Sequence, residues 1–272
     1  MKTFKLLLTI GILSMTLIGC LQVDTKVNLK KDGSGTIEET VLIKKEILNM
    51  LKEFAAAFDS TKSEEEFKMF NEAELKNKAT NYGTGVSYKS GEKISKDGLE
   101  GYKVVYSFED VNKIKLNPSP DTKLPVGETE EETPEKEIVK FNFTKGSPAK
   151  LTIIFPEEKF DEEMENENDQ MDEQADTTDS EQLNKLVEMF DGMKIKFALK
   201  VDGDVKETDA SYVDGNQFIL LDIDFAEIIN NKDILEKMEK SKQMTREDFK
   251  EMTNNIPGIK VETKEHVTIK FN

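Results

Sequence analysis

The sequence predicts an α+β fold: mainly antiparallel sheet, amphipathic helices packed on one face, and acidic disordered loops between the elements. Three observations lead there. Apolar and polar residues alternate over several stretches, the period of a half-buried strand. Other stretches switch to the spacing of an amphipathic helix. Strands and helices do not alternate one for one, as a parallel α/β chain would require.

In chain order, residues 1–20 read MKTFKLLLTIGILSMTLIGC. Lys2 and Lys5 form a basic start and Leu6 to Ile18 an apolar run. The run is shorter than the roughly 20 apolar residues of a membrane span, so it reads as a secretory signal. Leu17-Ile18-Gly19-Cys20 matches the lipobox of bacterial lipoproteins. The likeness implies a signal peptide over 1–19, cleavage between Gly19 and Cys20, and acyl chains such as palmitate on Cys20. Two or more acyl chains anchor a protein stably, whereas one binds only marginally. The expected partner is therefore the membrane, and the expected place is the bacterial cell envelope, outside the cytoplasm. Leu21 rather than Asp follows the cysteine, which favours the outer membrane in a Gram-negative cell. Residues 20–272 are expected to form one extracytoplasmic domain.

Val23, Thr25, Val27 and Leu29 share a face, and after DGSG so do Ile37, Glu39, Val41 and Ile43, with one polar interruption. That is a hairpin pattern. Residues 44–58 carry a helical stripe of Ile47, Leu51, Phe54 and Phe58; Ser63 with Glu66 reads as a capping box for a second helix bearing Phe67, Phe70 and Leu75. Strands follow at 84–94 and 100–108 around Asp97-Gly98, a hairpin-turn dipeptide. Residues 117–137 are rich in proline and glutamate and read as a mobile insertion. A hairpin is expected over 138–144 and 150–155. The tract 157–182 is almost solid acid and amide, a second mobile insertion. Leu183, Leu186, Val187 and Phe190 form a short helical stripe. Residues 193–201 then alternate strictly, with Met193, Ile195, Phe197, Leu199 and Val201 inward. Strands are expected at 204–213 and 217–223, helices at 225–240 and 245–254, and a last strand at 259–271.

Composition narrows the function classes. The chain has 272 residues, 34% charged and 36% hydrophobic, with a formal charge of −17. Loss of Lys2 and Lys5 with the signal leaves 36 basic against 55 acidic residues, a charge of −19. Such a field repels nucleic acid and anionic lipid headgroups, so neither is expected as a direct electrostatic partner. Arg246 is the single arginine, which removes bidentate arginine clamps for phosphate. With one cysteine, Cys20, and one histidine, His266, neither an internal disulfide nor a Cys/His zinc set can form.

Residues 31–40, KDGSGTIEET, look like the middle of an EF-hand loop. With Gly35 at the sixth position, Lys30 falls where the first carboxylate belongs and Val41 where the bidentate glutamate belongs. The stretch therefore reads as a glycine-rich hairpin turn, with Gly33 and Gly35 expected at positive φ. Asp202-Gly203-Asp204 and Asp214-Gly215-Asn216 read as turns too. The acidic tract reads as a solvated loop. His266 falls on the polar side of its strand, and no nucleophile elbow, phosphate loop, HExxH or dinucleotide fingerprint is present. No catalytic residue, metal site or cofactor is expected.

Three stretches together resemble the LppM-like envelope lipoproteins: VDTKVNLKKDGSGTIEETVLI, GLEGYKVVYSFEDVNKI and VDGDVKETDASYVDGNQFILLDIDFAEI. The resemblance implies a lipid-anchored α+β domain that binds lipid or glycolipid, and it carries over no catalytic residue. The expected function is that of a non-enzymatic, lipid-anchored envelope protein binding a partner or an apolar ligand. The alternatives are a structural or surface-interaction lipoprotein without a small ligand and, third, a hydrolase with a dispersed site.

Overall fold

The computed structural model describes residues 21–49, 69–117, 138–156, 192–231 and 258–272, with Ile234, Glu251 and Ile256. Strands β1 (Leu21–Leu29) and β2 (Gly35–Lys44) form the first hairpin; β3 (Val86–Lys96) and β4 (Leu99–Phe108) form the second. Strands β5 (Lys140–Thr144), β6 (Ala149–Ile154), β7 (Lys194–Val201), β8 (Val205–Thr208) and β9 (Val213–Asp214) follow. Last come β10 (Gln217–Asp224), β11 (Ile259–Val261) and β12 (His266–Phe271).

These strands make two sheets. The large one runs β11-β10-β7-β1-β2-β4-β3, with β9 also paired to β10; the small one runs β5-β6-β12-β8. Pairing is antiparallel except between β1 and β7, which lie side by side in parallel. Inward residues line up across the large sheet in rows. One row is Tyr88, Tyr106, Ile37, Val27, Leu199 and Phe218. The opposite face is polar, with Lys194–Asp224 at 2.6 Å and Lys196–Asp222 at 3.5 Å bridging β7 to β10.

The structure corrects the expected fold class. Strand makes up 55% of the described residues and helix 17%. The helices are short: 45–49, α1 (Glu72–Lys78) and α2 (Phe225–Ile229). Among the described residues, the apolar face of the large sheet shares its core with the second sheet, and the short helical pieces add Leu48, Leu75, Ala79 and Tyr82 to it. Phe141, Phe143, Leu151, Ile153, Val267, Ile269 and Phe271 of the small sheet belong to the same core as Val27, Leu29, Ile37, Leu199 and Val201 of the large one. Burying one sheet face against another satisfies both alternating patterns at once. The expected last strand, 259–271, is two strands in different sheets: β11 ends at Val261, Glu262 bonds back to Leu220, and β12 begins at His266. The expected strand 204–213 is likewise divided, into β8 on the small sheet and β9 on the large.

Several expected elements fall wholly or partly outside the described residues: the helices over 44–58 beyond residue 49, at 63–68, at 183–190 and over most of 225–254, and both insertions, 117–137 past Asn117 and 157–182. The described helix α1 has its own start. Asn71 caps it, accepting from the backbone N–H of Ala73 and Glu74, while its amide donates to Glu74 at 2.7 Å.

The turn at 31–35 shows why its glycines are there. Gly33 has a φ of 87°, and its backbone carbonyl accepts from Val111 N–H at 2.9 Å. It also lies against the Phe143 ring of the small sheet. Gly35 departs from expectation: it does not have positive φ. What it requires is space, because a Cβ there would fall 2.0 Å from the Asn28 carbonyl oxygen and 2.7 Å from Cζ of Phe108. Asn112 continues this junction between the sheets, accepting from Phe143 N–H at 2.6 Å and donating to its carbonyl at 3.3 Å. Gly35→Ala is therefore expected to cost about 1–3 kcal/mol through overpacking against backbone. Urea denaturation measures it. An unchanged midpoint would mean that β1 and β2 separate there without penalty.

Candidate functional site

Gly19 and Cys20, the expected cleavage and lipidation positions, lie outside the described residues. The described chain opens one residue later. Leu21 is the first residue of β1, is 1% exposed, and pairs with Ile43. There is thus no spacer between position 20 and a strand in the interior of the large sheet. Among the described residues, no helix is long and apolar enough to cross a membrane.

The described residues with the most concentrated chemistry are a carboxylate and tyrosines inside the core. Glu39 interrupts the apolar face of β2 and is 2% exposed. The Tyr82 hydroxyl donates to its Oε2 at 2.8 Å, and the Tyr102 hydroxyl reaches Oε1 at 3.5 Å. Tyr82 comes from a 3-10 turn, Ala79–Tyr82, that continues α1; Tyr102 comes from β4. Tyr106, beyond Val104 on the inward face of β4, stacks tilted on Tyr82 at 4.7 Å and donates to the Leu75 carbonyl at 2.9 Å. Thr25, the polar residue on the inward face of β1, pairs with Glu39 in register. The two polar interruptions in the first hairpin are thus one cross-strand pair.

Burial pushes the phenols of Tyr82, Tyr102 and Tyr106 above the ordinary tyrosine range, and the nearby Glu39 carboxylate adds to the rise. The hydroxyls remain donors at any ordinary pH. The cluster is enclosed by Val41, Val104 and Leu75, all buried. Its chemistry is that of a satisfied hydrogen-bond network which fixes α1 and its following turn to the sheet.

The other buried carboxylate has a similar task. Glu262 accepts from Ser211 N–H at 2.7 Å, the Ser211 hydroxyl at 2.9 Å and Lys264 N–H at 3.3 Å. It ties the loop before β9 to the segment where the chain leaves β11 for β12. In the EF-hand-like stretch, Asp32 accepts from both the backbone N–H and the hydroxyl of Ser34, at 2.9 and 2.7 Å. Those bonds hold its carboxyl below the usual range and close a turn. His266 is exposed at the start of β12. Among the described residues no three His, Cys, Asp or Glu side chains converge as metal ligands.

Of the aromatic residues that sequence reading raised as a binding surface, Tyr102, Tyr106 and Phe108 are core, Phe70 is half-buried beside Tyr88 and Gly91, and Phe54, Phe58 and Phe67 lie outside the described residues. Sequence reading missed the Glu39 cluster as a unit. Its signal was the polar residue on an otherwise apolar strand face.

No family model and no curated protein matches the chain. Among solved structures, the NMR structure of the folded domain of Mycobacterium tuberculosis LppM aligns with 74% of this chain and 82% of its own, at 10% identity and a TM-score of 0.28. It belongs to the family that the three sequence stretches resemble. At that TM-score the likeness transfers neither the strand arrangement nor a function.

Two measurements probe the cluster. Glu39→Ala removes the acceptor of two buried hydroxyls and leaves a void, and is expected to cost roughly 2–4 kcal/mol, against about 1 kcal/mol for Glu39→Gln, which keeps the shape and one acceptor. Equal denaturation midpoints for the two variants would refute the network's role. The tyrosine shifts also set a pH dependence. Folded-state values raised above the unfolded value near about 10 stabilise the protein fully below that pH, and the contribution is lost as pH rises through the folded values. In an alkaline titration followed at the tyrosinate band, Tyr82, Tyr102 and Tyr106 should ionise only as sheet circular dichroism collapses. Their ionisation in a still-folded protein would contradict this.

Proposed function

We propose that this chain is a bacterial envelope lipoprotein, non-enzymatic, whose β domain is held against the bilayer by acyl chains on Cys20 and serves as an interaction module for a protein or lipid partner. The observation that carries the reading is Leu17-Ile18-Gly19-Cys20 placed immediately before the first residue of a central strand. The lone cysteine in the chain stands where a lipobox needs it. Strand β1 is already paired at the next residue, Leu21, with Ile43.

One observation supports a non-enzymatic role. Both buried carboxylates among the described residues, Glu39 and Glu262, are engaged in holding chain segments together. The lipobox-based reading also places the acidic domain outside the cytoplasm, where the outer membrane is the favoured site in a Gram-negative cell.

The test is Cys20→Ser in the full chain. Wild type is expected to incorporate labelled palmitate and to partition into detergent and membrane fractions, while the variant loses the label and retains the signal peptide. A variant that still takes up palmitate would overturn the anchor. For the interaction role, mass spectrometry of detergent-solubilised wild type should show a bound lipid or protein at constant stoichiometry after gel filtration. Loss of every such species would favour the structural alternative.

A further inference from the structure

We infer that one end of the large sheet, the end carrying Leu21 and the β3–β4 turn, is a membrane-contact rim, seated among lipid headgroups with the β1–β2 turn facing away from the bilayer. The inference rests on acylation of Cys20 and adds an orientation to it. Cys20 is covalently joined to Leu21, so their Cα atoms are about 3.8 Å apart whatever the conformation of the rest of the chain. Leu21 cannot swing free as a tether, because it is buried and paired with Ile43. Each face of a bilayer carries a headgroup layer roughly 5–8 Å thick. A diacylglyceryl group on the cysteine sulfur places that sulfur at the inner edge of the layer. The first residues of β1 then lie within it.

Register identifies what else reaches that depth. Leu21 pairs with Ile43, and the next residue of β2, Lys44, pairs with Leu99 of β4. Leu99 is thus about 3.3 Å past the level of Leu21 along the strand axis, and the turn residues Asp97 and Gly98 extend farther. Lys45 N–H donates to the Gly98 carbonyl at 2.9 Å, which fixes this turn to the end of β2. On the other side of β1, Gln22 pairs with Lys194, so Met193 stands level with Leu21. The opposite end is distant. The nine residues of β1 carry the chain about 30 Å, so in the inferred orientation, with β1 running away from the bilayer, Lys31 and Asp32 stand beyond the headgroups. Asp202, which bonds to Leu29, and the chain end Asn272, which pairs with Asp204, share that far end.

Covalent geometry, not charge, drives this contact. The rim carries both signs, among them Lys45, Lys96 and Lys194 with Asp97, Glu100 and Asp224.

The test uses the full acylated chain in vesicles of phosphatidylethanolamine and phosphatidylglycerol containing a lipid with a nitroxide on its headgroup. The acylated Cys20 sulfur is a thioether, so a single introduced cysteine takes a fluorescent label selectively. Lys96→Cys and Ser95→Cys, both on exposed positions of β3, report the rim; Lys31→Cys reports the far end. The label at 96 or 95 is expected to be quenched several-fold more than the label at 31. Intact-mass analysis of the same samples records acylation. Acylated protein with equal quenching at both ends, or stronger quenching at 31, overturns the orientation alone. Protein without the acyl mass overturns the anchor, and the orientation with it.

Discussion

The large sheet depends on β1 being bonded on both edges. It pairs with β2 along its whole length and with β7 from Gln22 to Leu29, and all five inward residues, Leu21, Val23, Thr25, Val27 and Leu29, are buried. Without it the sheet divides into β2-β4-β3 and β7-β10-β11. Burial of four aliphatic side chains at about 1.5–3 kcal/mol each is, before entropic costs, of the same order as the net stability of an ordinary domain. A strand that follows residue 20 directly and also joins the two halves of its sheet couples any constraint at that residue to the whole fold. Force on that residue is shared by two ladders along the strand instead of peeling one strand from an edge.

The sheet's second dependence is on where its polar residues are admitted. The outer face carries charges in complementary positions: Lys196 and Asp222 are cross-strand partners, as are Lys194 and Asp224. Exposed pairs of that kind contribute little stability, typically about 0.2–1 kcal/mol. They do keep the face wet and leave the opposite face to the core. Among the buried residues on the core side of the described strands, Thr25 and Glu39 are the polar ones, and they interrupt the apolar rows side by side. A single polar pair with hydroxyl donors above it costs less than two separate ones, because each buried group needs its own partners.

How much of this was legible in the sequence depended on how local the cause was. The hairpins β1–β2 and β3–β4, the strand β7 and the turns at Asp97-Gly98 and Asp214-Gly215 lay close to where alternation and turn residues place them, since both signals act over a few residues. The parallel pairing of β1 with β7 was not legible: the strands are separated by more than half of the chain, and nothing in either marks the other as its neighbour. The two-sheet architecture was missed for a related reason. An inward apolar stripe does not say whether a helix or a sheet will cover it. In 259–271 the alternation passes through Glu262, whose carboxylate is buried against Ser211 while the chain changes sheets. Glu39 was visible as a polar interruption, but its meaning needed Tyr82, which lies forty-three residues away.

Glu39 links these points by fixing register. A slip of β2 by one residue would turn its apolar face outward, which the pattern of β1 already forbids. A slip of two residues preserves the faces and would shift the strand by about 6.6 Å, so alternation alone does not exclude it. Such a slip would carry the Glu39 carboxylate away from the Tyr82 hydroxyl to the level now held by Ile37 or Val41, where the β4 partners are Tyr106, whose hydroxyl is already given to the Leu75 carbonyl, and Tyr102. The loss of the 2.8 Å bond from Tyr82 and the need to repartner a buried carboxylate fall only on the slipped pairing. On the outer face Glu38 adds its own vote, accepting from Asn28 at 2.8 Å and lying 3.8 Å from Lys103. Register in turn sets how far the β3–β4 turn projects relative to Leu21. If residue 20 carries the membrane anchor, a buried glutamate on the adjacent strand helps to set which residues of that turn meet the headgroups.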